Sequence, residues 1–333
     1  MIKALPYGDS MKIQTMTQII TDPSDWDGSL FGTSLELVQL TGAEFRSTQT
    51  VIELGGIKLL SLFVNQSIVV RSRLPALRYV ATLFDTAHGG HFAGERIDAR
   101  RVFVMPPTFD FDSCISDGAF SSSSIFVPPE QLEPYYQTLF GESLVQSSTL
   151  RSAVIDLESS YWVASWPDFI HQFNSHGLEA EQRLKIQEAL RDRALMLVAY
   201  SLRRSIMEEH PEIEISEKPK GLAKSRALVR VAEDYSKARP EEHLRMVDLC
   251  EATEVSERTL QYAFKKCLGI SPMNYLKRHR LHQVRHKLKQ CRSEETTVTS
   301  VACQFGFFHF GDFSQSYKTQ FGELPSETLR QVG

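Results

Sequence analysis

The apolar positions of this chain change period part-way along. Over residues 35–127 they fall in short runs rich in β-branched and aromatic residues, at 50–54, 57–64, 67–71, 77–84, 101–105 and 124–127. Gly55-Gly56, Asn65-Gln66, His88-Gly-Gly and Pro106-Pro107 separate them, and many short strands at such spacing predict an antiparallel sandwich or barrel. Helical periods follow. Residues 128–139 and 166–173 each read as a helix, and 178–209 as the longest, with Leu184, Ala189, Leu190, Ala194, Leu195, Leu197, Val198 and Leu202 on its apolar side. That stripe is wide enough to cover a sheet or to meet a second copy of the chain. Residues 1–30, with Asp, Pro, Ser and Gly turn formers, read as an irregular arm, and 210–223 as a polar linker.

The last third carries one pattern twice. In its first occurrence Leu249 and Cys250 give a short helix its apolar face, Val255 closes a turn, and Ser256 suits the N-cap because its hydroxyl accepts an orphan N–H. Leu260, Phe264 and Leu268 then recur at i, i+4 and i+8, and Gly269 ends the helix. Its first turn holds Thr259, and its opposite face presents Arg258, Gln261, Tyr262 and Lys265, residue types that reach base edges and phosphates. In the second occurrence Val298, Val301, Ala302 and Phe305 form the supporting helix, Gly306 the turn, and Phe313, Tyr317 and Phe321 the buried stripe of a helix that stops at Gly322. Around it lie His309, Asp312, Ser314, Gln315, Lys318 and Thr319.

Between the two, Pro272 sits where a first helical residue belongs. A helix from there to Gln290 would be about 28 Å long at a rise of about 1.5 Å per residue. One duplex turn is about 34 Å, so this spacer would set two recognition helices in successive major grooves. Lys277, Arg278, Arg280 and Arg285 stud it and read as phosphate contacts.

Charge sharpens the division. The whole chain has a formal net charge of −4, with 37 Lys+Arg against 41 Asp+Glu. Residues 218–333 hold 20 basic against 13 acidic side chains, and residues 1–217 hold 17 against 28. A basic module on an acidic one is expected where only the former meets a polyanion. The five cysteines form no CxxC pair or ligand spacing, which suits buried thiols in a reducing cytoplasm. No apolar h-region and no run of about 18 apolar residues occurs, so no membrane is expected.

The stretch Gly306-Phe-Phe-His-Phe-Gly-Asp-Phe-Ser-Gln-Ser-Tyr-Lys-Thr-Gln-Phe-Gly-Glu-Leu-Pro325 resembles the signature of the AraC/XylS family of bacterial transcription regulators. Three departures stand out: Gly311 replaces the usual N-cap Ser, Leu324 the Ser before Pro325, and Leu329 the Tyr before Arg330. They weaken the second unit's cap and end packing, which leaves the first unit the stronger reader. Within the family, residues 248–250, 256–261, 276–281 and 306–309 most resemble the ethanolamine-utilisation regulators. The resemblance is specific over residues 224–330. It implies a regulator, activator or repressor, that binds double-stranded DNA, a homodimer, a small-molecule effector, and RNA polymerase as a further partner. The branch implies ethanolamine with a cobalamin cofactor.

The expected fold is α+β. Residues 31–209 form a cupin-like antiparallel β-barrel or jelly roll with trailing helices. Residues 224–333 form an all-α domain of two helix-turn-helix units joined by a linker helix. No catalytic residue is expected: the chain has no Gly-x-Ser-x-Gly elbow, P-loop, dinucleotide fingerprint or His-Glu-x-x-His. Two other readings stay open for the N-terminal half. A cupin-like metal enzyme would use His88 and His91, but their spacing of three puts them out of step along a strand. A cyclic-dinucleotide sensor would use the arginines at 96, 100 and 101. The effector-binding residues are unassigned; Phe63, Phe84, Phe103 and Met105 line a cavity or simply fill it.

Overall fold

Strands and helices follow the two periods. The computed structural model describes residues 14–26, 35–42, 44–72, 77–86, 90–92, 95–97, 101–107, 112–115, 118–144, 153–156, 179–207, 220–242, 244–292, 294 and 296–330. The strands are β1 (Gln14–Ile20), β2 (Leu35–Gln39), β3 (Ser47–Leu54), β4 (Ile57–Val64), β5 (Ile68–Ser72), β6 (Tyr79–Thr86), β7 (His91–Phe92), β8 (Glu95–Arg96), β9 (Arg101–Met105), β10 (Asp112–Ile115), β11 (Phe120–Val127) and β12 (Ala153–Asp156). They form a seven-stranded sheet in the order β1-β3-β4-β11-β6-β9-β12 and a five-stranded sheet in the order β2-β5-β10-β7-β8. Every pairing among the described strands is antiparallel.

The large sheet buries both faces, and its sequence shows why. Along β4, Leu60, Leu62 and Val64 point to the small sheet, where they meet Leu37, Ile68 and Val70 of β2 and β5. Ile57 and Leu59 point the other way, as strand alternation requires. There they are covered by α1 (Pro129–Phe140) through Leu132 and Tyr136, and by α2 (Ala180–Met207) through Leu190, Ala194, Leu195, Val198, Ala199 and Leu202. Phe84, Phe92, Phe103 and Phe120 pack between the sheets, with ring centroids 5.2–6.2 Å apart. Phe84, Phe103 and Met105 thus fill the interior, whereas Phe63 lies on the outer side and is exposed.

Two expectations change, and one helix keeps its place. The arm expected over residues 1–30 contains a strand: β1 pairs along its whole length with β3, and a 3₁₀ turn at Pro23–Asp25 follows it. The long helix expected at 178–209 runs Ala180–Met207, and the helix α3 (Lys220–Lys237) starts inside the expected linker. The helix expected at 166–173, His88 and residues 210–219 lie outside the described residues.

The remaining helices are α4 (Met246–Thr253), α5 (Glu257–Leu268), α6 (Pro272–Gln290), α7 (Val298–Gln304), α8 (Phe310–Phe321) and α9 (Pro325–Arg330). The first half of α6 packs on α3, α4 and α5: Tyr275 and Leu276 join Val229, Leu249, Leu260 and Phe264. Its second half packs on α7, α8 and α9: Leu281, Val284 and Leu288 join Val301, Phe313, Tyr317 and Leu329. Val38, Leu40 and Val69, on the outer face of the small sheet, belong to the first of these clusters. The β-sheet half and the helical half therefore share a core.

Candidate nucleic-acid interface

Helix α5 is built as its pattern requires. Ser256 Oγ accepts the Thr259 N–H at 3.3 Å and lies 2.9 Å from Thr259 Oγ1, so both hydroxyls are engaged in the cap. Gly269, at φ 71°, closes the other end. Leu260, Ala263, Phe264, Cys267 and Leu268 are buried, which leaves Arg258, Gln261, Tyr262 and Lys265 exposed on the opposite face. Tyr262 is 62% exposed, a large area for an aromatic ring on a soluble surface. Lys266 lies 5.6 Å from its centroid. Gln261 donates to Glu257 at 2.8 Å and Lys265 to the Gly269 carbonyl at 2.8 Å, weak exposed bonds that a base or phosphate could replace. No hydrogen bond or ion pair engages Arg258 among the described residues, so its guanidinium is fully available.

Helix α8 differs from expectation at its start. It begins at Phe310 with His309 as N-cap, and His309 makes no side-chain capping bond. Gly311 is therefore inside the first turn, not at the cap. Asp312, Gln315, Lys318 and Thr319 are exposed, Ser314 is half-buried, and His309 is exposed beside the turn. The buried side holds Phe313, Tyr317 and Gln320. Burial raises the Tyr317 phenol to about 12, and its hydroxyl pairs with Thr328 Oγ1 at 2.8 Å. Thr319 and Gln320 face the β-sheet half: Gln320 Nε2 donates to the carbonyls of Gln39 at 3.2 Å and Thr41 at 3.4 Å. A Cβ on Gly42 would come 2.5 Å from the Thr319 carbonyl oxygen, so only glycine fits there.

The cations expected along α6 separate into two groups. Lys277 is exposed and Arg278 half-buried, with burial lowering the Arg278 pKa. Arg280 and Arg285 are buried and bond to protein, which corrects their reading as phosphate contacts in this arrangement. Arg280 donates to the Glu242 carbonyl at 2.8 Å. Arg285 donates to Asp22 at 2.5 Å and Glu323 at 2.8 Å, and its guanidinium sits 4.6 Å from the Phe321 ring centroid. The geometry leaves α5, the first turns of α8 and Lys277 as the available donor surface.

Residues 249–331 match a family model described as a helix-turn-helix domain. Over 83 residues the chain is 40% identical to the XylDLEGF operon transcriptional activator 1 of Pseudomonas putida, covering 25% of each chain. Over 105 residues it is 38% identical to the probable thc operon regulatory protein of Rhodococcus erythropolis, covering 32% of each. Among solved structures it is similar to a probable AraC family transcriptional regulator from Rhodopseudomonas palustris, at 36% identity over 32% of this chain and 97% of that one, with a TM-score of 0.30. Through these residues the chain belongs to the AraC/XylS family of transcription regulators. The chain thus spans about a quarter to a third of the length of the curated relatives it matches.

In this AraC/XylS-family chain, residue patterns missed the surface that joins the halves. His279 Nε2 lies 2.7 Å from Glu36 Oε1, and Lys237 Nζ reaches Glu36 Oε2 at 2.6 Å. Burial alone would raise the Glu36 carboxyl, but His279 and Lys237 hold it well below the usual carboxylate range. Burial lowers the His279 pKa. It pushes His282 down to about 3, and His282 Nε2 accepts the Gln39 N–H at 3.1 Å. Arg71 pairs with the buried Glu233, and Lys289 pairs with Asp22 and Asp25. No spacing rule could have found these contacts, because their partners are some 160 to 265 residues apart in the chain. Phe308 and Phe310, both exposed beside the start of α8, were also missed. Their signal was an aromatic pair outside the i, i+4 stripe.

For the two other readings, His91 is half-buried in β7, and no group of three metal-ligating side chains occurs among the described residues. His88 and Arg100 lie outside them. No helix is long and apolar enough to cross a membrane among the described residues.

Proposed function

We propose that this chain is a sequence-specific, DNA-binding transcription activator that reads two adjacent major grooves with α5 and α8. The observation that carries the reading is the exposed donor face of α5, where Arg258, Gln261, Tyr262 and Lys265 project from a helix whose other face is locked in a core. In this reading α4–α5 and α7–α8 are two helix-turn-helix units on one spacer, α6, of 19 residues. Ser256, Thr259, Lys277 and Arg278 position the first unit on phosphates. His309, Asp312, Ser314, Gln315, Lys318 and Thr319 serve the second, whose far end first has to leave the small sheet.

The two-sheet half serves as a jelly-roll-type sensor that a small-molecule effector tunes, and the chain acts as a cytoplasmic homodimer that recruits RNA polymerase. The support is architectural: this half clamps α6 and α8 directly, so any ligand favouring one docking state changes DNA occupancy. The ethanolamine and cobalamin expectation rests on the four short segments named above and on no pocket residue.

The test uses the full chain and DNA sites selected from a random library. Arg258→Ala and Gln261→Ala should each cost about 1–3 kcal/mol on the selected site and relax preference at one base position. Equal losses on selected and random DNA would refute base reading by α5. Affinity should also fall steeply with salt.

A further inference from the structure

The two recognition helices are joined by more than the backbone of α6. Arg280 lies near the middle of that helix, 92% buried, since 8% of it is exposed. Its Nη2 donates to the Glu242 carbonyl at 2.8 Å, in the loop that leads from α3 into α4. That loop is itself fixed, because Leu244 N–H donates to the same Glu242 carbonyl at 3.0 Å. On the other side the guanidinium abuts Gly306, the turn between α7 and α8. A Cβ on Gly306 would lie 3.2 Å from Arg280 Nη1, 3.3 Å from the Glu242 carbonyl oxygen and 3.5 Å from that of Glu241. Gly306 has φ 75°, so a side chain there would be strained even without the crowding. First unit, spacer and second unit therefore converge on one guanidinium.

Next to this point the two units do not close on each other. A cleft of about 410 Å³ separates Leu244, Met273 and Leu276 from Phe307, Phe308 and Phe313. Across that gap no side-chain packing holds the α7–α8 pair to the first unit. Arg280 also lines the cleft, and its Nε is buried without a hydrogen-bond partner. Such burial carries a cost that a surface phosphate contact would avoid. The guanidinium is placed as a spacer between two backbone segments.

We propose that Arg280 is a positioning residue that fixes the separation of α5 and α8, and with it the half-site spacing the protein accepts. The inference rests on the reading of both helices as DNA readers. One base pair changes the separation of half-sites by about 3.4 Å along the axis and rotates one against the other, so a rigid pair should reject it.

Two measurements on the full chain test this. The first needs no DNA: spin labels on non-natural side chains at Gln261 and Gln315 report the distance between the helices. The distribution should widen in Arg280→Met and narrow again in Arg280→Lys, which keeps a donor for the Glu242 carbonyl. An unchanged width in Arg280→Met overturns the proposal, whatever the helices bind. The second uses the selected site with its spacer lengthened or shortened by one base pair. The unaltered protein should lose about tenfold or more in affinity and Arg280→Met about threefold or less, with Arg280→Lys between. Gly306→Ala, which pushes on the same guanidinium, should shift the preferred spacing. Equal spacing penalties in all four proteins overturn the proposal. A protein that is indifferent to one half-site altogether overturns the two-reader assignment instead, and leaves the distance measurement to decide on Arg280.

Discussion

Arg285 of α6 is shared between the two halves of the molecule: its Nε donates to Asp22 and its Nη1 to Glu323. Asp22 follows β1 directly, and Glu323 follows α8. One guanidinium on α6 thus ties the edge of the β-sheet half to the end of α8. Lys289, one turn further on, adds bonds to Asp22 at 3.2 Å and Asp25 at 2.5 Å. The acidic balance of the N-terminal half supplies anions to these cations of the helical half.

Asp22→Asn should therefore loosen docking and raise affinity for DNA. Asp22 is 5% exposed, and removing the charged partner of a buried guanidinium costs on the order of 2 kcal/mol or more. Arg285 retains Glu323, so the helical half should stay folded. Hydrogen exchange should speed up in β2 and α6 together, and the full chain should bind the selected site several-fold more tightly. Faster exchange with unchanged affinity would separate docking from DNA binding.

Acid should act on the same surface. His282 is neutral when docked, its pKa pushed down to about 3 by burial, and would return towards about 6.5 once exposed. A base with a lowered folded-state pKa binds fewer protons than the open state, so docking weakens as pH falls below about 6.5. The loss is about 1 kcal/mol at pH 5.5 for this one group. Glu36, held low by His279 and Lys237, adds a loss of the same sign below about 4.5. His282→Gln should flatten the first part of this profile, measured as the exchange rate of the Gln39 amide against pH.

How much of this was legible in the sequence depends on where each partner lies. The caps at Ser256 and Gly269, the buried stripes Leu260–Phe264–Leu268 and Phe313–Tyr317, and β3, β4, β6, β9 and β11 of the large sheet were readable, because each rests on neighbours within one element. β1 was not, since Met16 and Ile19 are exposed on an edge strand and show no buried alternation; pairing with β3 orders it, and Ile20 at its end enters the core between the sheets. Arg280 and Arg285 looked like any other cations on a helix. What distinguishes them from Lys277 is which side of α6 meets the Glu242 loop and Asp22, and that is a tertiary fact.

The start of α8 supplies a stability prediction. Gly311 lies within the helix, its φ is not positive, and a Cβ added there meets nothing within 4 Å. Gly311→Ala should then stabilise the protein by a few tenths to about 1 kcal/mol, by removing freedom from the unfolded chain. Thermal melts of the full chain check it. A lower midpoint would mean that the first turn of α8 is not helical in solution.

Helix α2 carries the surface that the proposed dimer would use. Its stripe was too wide to assign from sequence, and the fold divides it. Leu190, Ala194, Leu195, Val198 and Leu202 seat on the large sheet, while Met196 and Tyr200, one turn apart, stay about half exposed at 45% and 53%. Tyr200 extends the patch by packing edge-on against Phe140 at 5.2 Å. A face of that kind on a regulator with two recognition helices suits pairing about a twofold axis, where each residue meets its own copy's neighbours. Met196→Glu places a charge at the centre of that contact but in water within the monomer. It should convert dimer to monomer in sedimentation while leaving the melting midpoint of the monomer within a few degrees. Binding to a single site should persist, and binding to two sites on one DNA should lose its cooperativity. A dimer that withstands Met196→Glu together with Tyr200→Glu uses another surface, and α2 then serves only to cover the sheet.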